Sequence, residues 1–166
     1  MKSVKLFFFL CALSAAFGSI RAQDVSVSAG ADIVSSYIWR GLYVGPASAQ
    51  PSVSLSAGDF TLGVWGSSSF EGTWREFDLY ASYSVGNLSL LLTDYFFPRN
   101  LPDGVGSSYF KLSEHLFEAT LGYSLGESLP LSLAWNTNFA GDDDYSSYME
   151  ASYSIPAGDV AIDLIL

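Results

Sequence analysis

Residues 77–85 read Phe-Asp-Leu-Tyr-Ala-Ser-Tyr-Ser-Val. In an extended chain Phe77, Leu79, Ala81, Tyr83 and Val85 fall on one face, and Asp78, Tyr80, Ser82 and Ser84 on the other. A strict period of two marks a strand with one apolar and one polar side. The pattern recurs along the chain. It predicts strands at about 25–39, 51–57, 60–67, 75–85, 88–97, 115–125, 131–139, 145–155 and 160–166. Several are long enough to cross a bilayer at a tilt. The expected fold is all-β, an antiparallel up-and-down transmembrane β-barrel with about nine strands present.

The first 22 residues are a different kind of sequence. Lys2 and Lys5 give a basic start, Leu6 to Phe17 is an apolar core, and Ile20-Arg21-Ala22 offers a small residue for cleavage. This is the pattern of a secretory signal peptide, too short to span a membrane as a helix. The expected organisation is a signal at 1–22 and one barrel domain at 23–166. The only cysteine, Cys11, lies in the signal, so no disulfide framework is available to the exported chain.

The charge balance is acidic. Beyond the signal only Arg40, Arg75, Arg99 and Lys111 stand against 17 Asp and Glu, four positive against 17 negative, or −13. Phosphate binding needs clustered Lys and Arg, which excludes nucleic acid as a partner. No segment after the signal approaches 18 consecutive apolar residues, which excludes a helical membrane protein. The aromatic content of 16% and charged content of 14% are nevertheless unusual for a water-soluble domain. Strands facing lipid on alternate residues account for both, because only closed barrels cross a bilayer with strands. The expected location is the cell outer membrane of a bacterium, with lipid as one partner and small solutes or ions as the others.

The connections support this. Short turns are expected at Gly58-Asp59, Gly86-Asn87, 126–130 and 156–158, and longer loops at 40–50, 68–74, 98–114 and 140–144. Turns on one side and loops on the other is the outer-membrane arrangement. Tyr83, Tyr123 and Tyr153 each precede a short turn on the apolar parity. Tyr37, Trp39, Phe97, Trp135 and Phe139 lie towards the opposite ends. Aromatic rings favour the membrane interface, so these eight residues are candidates for two girdles. An ordinary aromatic core in a secreted soluble β-sandwich, used for binding or adhesion, is the competing reading.

Parity assigns Asp32, Arg40, Trp65, Glu76, Asp78, Glu118, Glu150 and Asp163 to the polar face, as candidate lumen-lining residues. Too few cations accompany these carboxylates to neutralise them, which suggests an electronegative, cation-preferring passage. A plugged interior with Arg40 and Arg75 bridging several carboxylates is the alternative, giving a structural barrel without a pore. Trp65, beside Gly63 and Gly66, either narrows the lumen or fills space those glycines leave. Asp94 shares the parity of Leu88, Leu90 and Leu92 and would face lipid unless a bulge intervenes or it lies above the membrane.

Reactive chemistry is sparse. His115 is the only histidine, flanked by Ser113 and Glu114, and nearness in sequence is poor evidence for a catalytic group because adjacent residues in a strand face opposite ways. No Gly-x-Ser-x-Gly, metal-ligand cluster or phosphate-binding glycine loop is present. Asp142-Asp143-Asp144 lacks the ligand spacing of a calcium loop and reads as a solvated acidic loop. Neither an enzyme nor a cofactor is expected.

The segments Ser36-Tyr37-Ile38-Trp39-Arg40-Gly41, Gln50-Pro51-Ser52-Val53, Gly63-Val64-Trp65-Gly66-Ser67 and Glu76-Phe77-Asp78-Leu79-Tyr80-Ala81 resemble, in this order, the TorF-type porin family. The resemblance is clearest over residues 25–97. It implies an outer-membrane barrel with a channel role, no catalytic residues, and no defined role for the matching Arg40, Trp65, Glu76 and Asp78. Members of that family look longer at the C-terminus, and single-chain bacterial barrels have even strand numbers. Truncation by one to three strands is therefore expected, with the first and ninth strands left as open edges.

Overall fold

In the computed structural model, residues 25–98, 106–126, 128–158 and 160–166 are described. The expected signal peptide, 1–22, lies outside the described residues. The chain forms nine strands: β1 (Val25–Trp39), β2 (Leu42–Ala57), β3 (Phe60–Ser69), β4 (Arg75–Val85), β5 (Leu88–Phe96), β6 (His115–Ser124), β7 (Leu131–Ala140), β8 (Ser147–Ala157) and β9 (Val160–Ile165). They lie in one sheet in chain order, each antiparallel to its neighbours. Among the described residues there is no α-helix, only a 3-10 turn at Leu112–Glu114. The all-β, up-and-down expectation therefore holds. The sheet is not closed, and β1 and β9 are its two edges.

The largest departure from the sequence reading is at β2. The expected loop 40–50 is instead a two-residue turn followed by strand. Trp39 pairs with Leu42, and the intervening Arg40 and Gly41 both have positive φ, 50° and 75°. Two left-handed residues in succession make a type I′ turn, whose twist matches the flanking strands. The run Gly45-Pro46-Ala47-Ser48-Ala49 looks like loop sequence, yet it pairs with β1 from Tyr37 to Ile33. Its small side chains are what let the chain pass through a crowded part of the sheet. Ser48 is completely buried.

The sheet is curled, and its concave face is polar. Arg40, at the end of β1, bonds to Glu118 on β6 and stacks on Tyr148 of β8, so side chains meet across the curl rather than along the sheet. Buried residues on this face include Gln50, Ser67, Glu76, Asp78, Thr93 and Asn136. The convex face is the reverse: Val53, Leu55, Leu62, Leu79, Leu90, Leu92, Leu121, Leu133, Trp135 and Ile155 are exposed. Among the described residues only Tyr37 and Phe96 are buried hydrophobics. Water-soluble domains bury their apolar faces and rarely expose an apolar patch of this extent.

Close packing on the concave side depends on glycine at one point. Gly63 of β3 pairs with Tyr80 of β4, and a Cβ at Gly63 would run into the Tyr80 ring. The missing side chain lets the ring lie flat over the strand, a device that offsets the weak strand preference of glycine.

Candidate functional site

The concave face carries two acidic clusters, built differently. In the first, Arg40 reaches across from the β1–β2 turn and donates two hydrogen bonds to Glu118, Nη1 to Oε2 at 2.7 Å and Nη2 to Oε1 at 2.8 Å. Tyr95 of β5 adds a third, its hydroxyl donating to Glu118 Oε1 at 3.0 Å. The Glu118 side chain is only 4% exposed. The guanidinium is held between π faces, 4.2 Å from the Trp39 ring centroid and 4.7 Å from that of Tyr148. A fork-shaped cation fits a carboxylate in this geometry and gains further from the ring quadrupoles.

The second cluster lies one strand pair away. Glu76 and Asp78 project from β4 on the same side, and Tyr37 faces both carboxylates. Glu76 accepts the Trp74 indole N–H at 3.3 Å. Asp78 is 6% exposed, and its Oδ1 has no hydrogen-bond partner among the described residues. Asp78 lines a cavity of about 600 Å³ with Tyr37, Trp39, Trp65, Tyr80 and Tyr95 in its walls. Trp65 therefore points inward, and its ring packs against Tyr37 at 5.5 Å.

Nearer the short turns the concave face becomes a groove lined by Ser84, Ser89, Thr120, Ser132 and Ser152, with Glu150 among them. Asp163 accepts the Ser154 hydroxyl at 2.6 Å. Asp32 pairs with Gln50, which places it on the concave face at the open β1 edge. Arg75 does not join these carboxylates. It shares the parity of Phe77 and is exposed, so the expected bridging by two arginines reduces to Arg40 alone.

The aromatic residues divide. Tyr83, Tyr123, Trp135, Phe139 and Tyr153 are exposed on the convex face. Tyr37, Trp39 and Phe97, expected to face outward, turn inward instead. Tyr37 and Trp39 line the cavity, and Phe97 stacks on Tyr95 with ring centroids 6.4 Å apart. Phe97 follows the concave parity of Thr93 and Tyr95. Along β1 simple alternation has already failed at Tyr37, next to a register shift between Tyr37 and Ile38.

Asp94 resolves in a way the sequence did not disclose. There is no bulge in β5, and Asp94 does share the convex parity of Leu92. It is covered. The segment before β6 folds back over this face and places Tyr109 on Phe77, Phe96 and His115. His115 is 3% exposed; its Nδ1 lies 2.6 Å from Asp94 Oδ1 and its Nε2 lies 2.6 Å from the Tyr109 carbonyl oxygen. Asp94 and His115 stand on neighbouring strands, offset by two residues, a juxtaposition that only strand register reveals. Both imidazole nitrogens are thus engaged, one by a carboxylate and one by a backbone carbonyl.

In the β7–β8 loop, Asp142 caps the hairpin. It accepts hydrogen bonds from the Asn138 side chain and from the backbone N–H groups of Asp144 and Ser146, at 3.1, 3.0 and 2.9 Å. Bonds from the Ser146 side chain and backbone, then from Asn138 and Asp144, hold its carboxyl well below the usual Asp range. A depressed folded-state value means that the cap persists below the pH where an ordinary Asp protonates, and is lost only in stronger acid. Amide exchange at Ser146 should stay slow at pH 4 in the wild type and become fast in Asp142→Ala. Equal exchange in the two proteins would refute the cap. Among the described residues no His, Cys, Asp and Glu group is arranged to hold a metal ion.

A family model described as a bacterial protein of unknown function (Gcw_chp) matches residues 20–165. It corrects the resemblance to TorF-type porins, since nothing in the match indicates that family. The quoted segments are turn, glycine and aromatic chemistry, which unrelated strand proteins can share. No curated protein and no solved structure matches the chain.

Proposed function

The chain belongs to Gcw_chp, a family of bacterial proteins of unknown function, and from that premise we propose that it is an exported outer-membrane strand protein whose concave face lines a path for small hydrophilic solutes or ions, with a preference for cations. The observation that carries the reading is the inverted partition of the sheet. Its convex side presents exposed Leu, Val, Ile and aromatic residues, while its acids, hydroxyls and amides are gathered on the concave side. Lipid on one side and water on the other is the environment in which that partition is favourable.

Cation preference follows from the charge on the lining. Asp32, Glu76, Asp78, Glu150 and Asp163 share the concave face with Arg40, whose charge Glu118 already balances. A lumen with a fixed negative excess concentrates cations and repels anions. In this reading closure needs strand pairing at the free edges of β1 and β9.

Three measurements test it. Membrane fractions should release the protein only to detergent, and the refolded protein should migrate differently on gels with and without boiling. In planar bilayers under a KCl gradient, its reversal potential should lie on the cation-selective side. Solubility without detergent, absence of conductance, or clear anion preference would each overturn the proposal.

A further inference from the structure

The geometry points to a binding site for a small organic cation, of guanidinium or ammonium type, in the aromatic-walled cavity at Asp78. This deepens the reading of the concave face as a solute path and rests on it.

Three observations converge. First, Asp78 is almost fully buried, lines the cavity, and keeps one carboxylate oxygen without any donor among the described residues. Buried carboxylates are stable only when paired or hydrogen-bonded, so this one lacks a partner that its position demands. Glu76, two residues along the same face of β4, is a second carboxyl group and not a cationic partner.

Second, the walls suit a π-binding cation. Trp39, Trp65, Tyr37 and Tyr95 surround the position, and rings of this kind attract cations, more strongly where water is excluded. A bare metal ion would want several oxygen ligands in a shell, and the described residues offer no such group.

Third, the molecule contains its own example of the occupied state. Arg40 sits on Trp39 and Tyr148 and forks onto Glu118, which is an aromatic-flanked carboxylate holding a planar cation. Trp39 and Tyr95 belong to both halves: each contacts the Arg40–Glu118 cluster, and each lines the Asp78 cavity. Among the described residues, the second half has the carboxylate and the rings but no arginine. A ligand bringing a guanidinium or ammonium group would complete it, with Thr93 also in the lining.

The test uses the full chain refolded in detergent micelles, titrated with methylguanidinium chloride and followed by tryptophan fluorescence and calorimetry. Saturable binding is expected, with no comparable signal from KCl at equal ionic strength. Asp78→Asn should weaken binding by about tenfold or more, and Trp65→Leu should weaken it too, whereas Asp143→Asn in the outer loop should leave it unchanged. Asp78→Asn replaces a buried carboxyl group, whose Oδ1 has no donor among the described residues, by an amide of the same size, so folding should survive the substitution. No saturation in the wild type, an equal response to KCl, or undiminished binding in both cavity variants would overturn the site. Conductance of the same preparation separates the two levels. Binding without conductance would overturn the channel reading and leave the site standing. Conductance without binding would do the reverse.

Discussion

Arg40→Ala should destabilise the refolded protein by about 3–5 kcal/mol, read as a lower urea midpoint for tryptophan fluorescence in phospholipid vesicles. Most of that loss comes from what is left behind. With the guanidinium gone, Glu118 keeps only the Tyr95 hydroxyl among the described residues, none of which gives its buried carboxylate another counter-charge. Glu118→Gln in the Arg40→Ala background should therefore recover much of the stability, because an amide carries no charge to strand. Arg40→Lys should recover little, since an ammonium cannot reproduce the two-pronged bond or lie flat on Trp39 and Tyr148. The backbone supplies a control. Arg40 has φ 50°, a conformation that costs a non-glycine residue about 1–2 kcal/mol. Arg40→Gly relieves that strain while losing the same ion pair, so it should be more stable than Arg40→Ala by about 1 kcal/mol. Equal stability of Arg40→Ala with and without Glu118→Gln would show that the pair is not what holds this corner.

What the sequence disclosed here follows from what period two can carry. The alternation at Phe77–Val85 put Asp78 and Tyr80 on the polar side and Leu79 on the apolar side, and the register of β4 with β3 and β5 agrees. Trp65 was placed inward by the same count. The count fails where backbone irregularity resets it. At the end of β1, Tyr37 and Trp39 read as outward girdle residues but turn into the cavity, beside a register shift that no composition signal marks. The type I′ turn at Arg40-Gly41 was hidden because arginine is a poor residue for φ above zero; Glu118, 78 residues away, helps hold it there. Long-range pairings of this kind depend on strand order and curl. The sequence supplied the two candidate faces, but not which carboxylate Arg40 would find, nor that Asp78 Oδ1 would have no donor among the described residues. The cover over Asp94 was equally hidden, since it requires a loop to fold back onto the apolar side of the sheet.

That cover sets the other large effect. His115→Ala should cost about 3–5 kcal/mol in the same unfolding measurement, by leaving Asp94, mostly covered on the apolar face, with only the Tyr109 hydroxyl, at 3.5 Å, near it among the described residues. An ionisable side chain against lipid is tolerable when paired and costly when not. Packing loss adds to this, because the imidazole stacks on Phe96 at 4.9 Å and on Phe117 at 5.9 Å. Charge and packing can be separated. Asp94→Leu with His115→Leu makes the row uniformly apolar and should restore most of the lost stability, as replacement of a buried pair by hydrophobic residues often does. The fold-back segment should not recover with it, because the Tyr109 carbonyl still lacks the His115 ring nitrogen that it faces at 2.6 Å. Lys111 lies in that segment with its side chain 64% exposed, so trypsin cleavage after Lys111 reports its release. Cleavage should accelerate in both the single and the double variant, while the unfolding midpoint recovers only in the double. A double variant as unstable as His115→Ala would assign the effect to shape rather than to the stranded carboxylate. Unchanged cleavage in both would show that the segment is held by Tyr109 packing on Phe77 and Phe96, without help from His115.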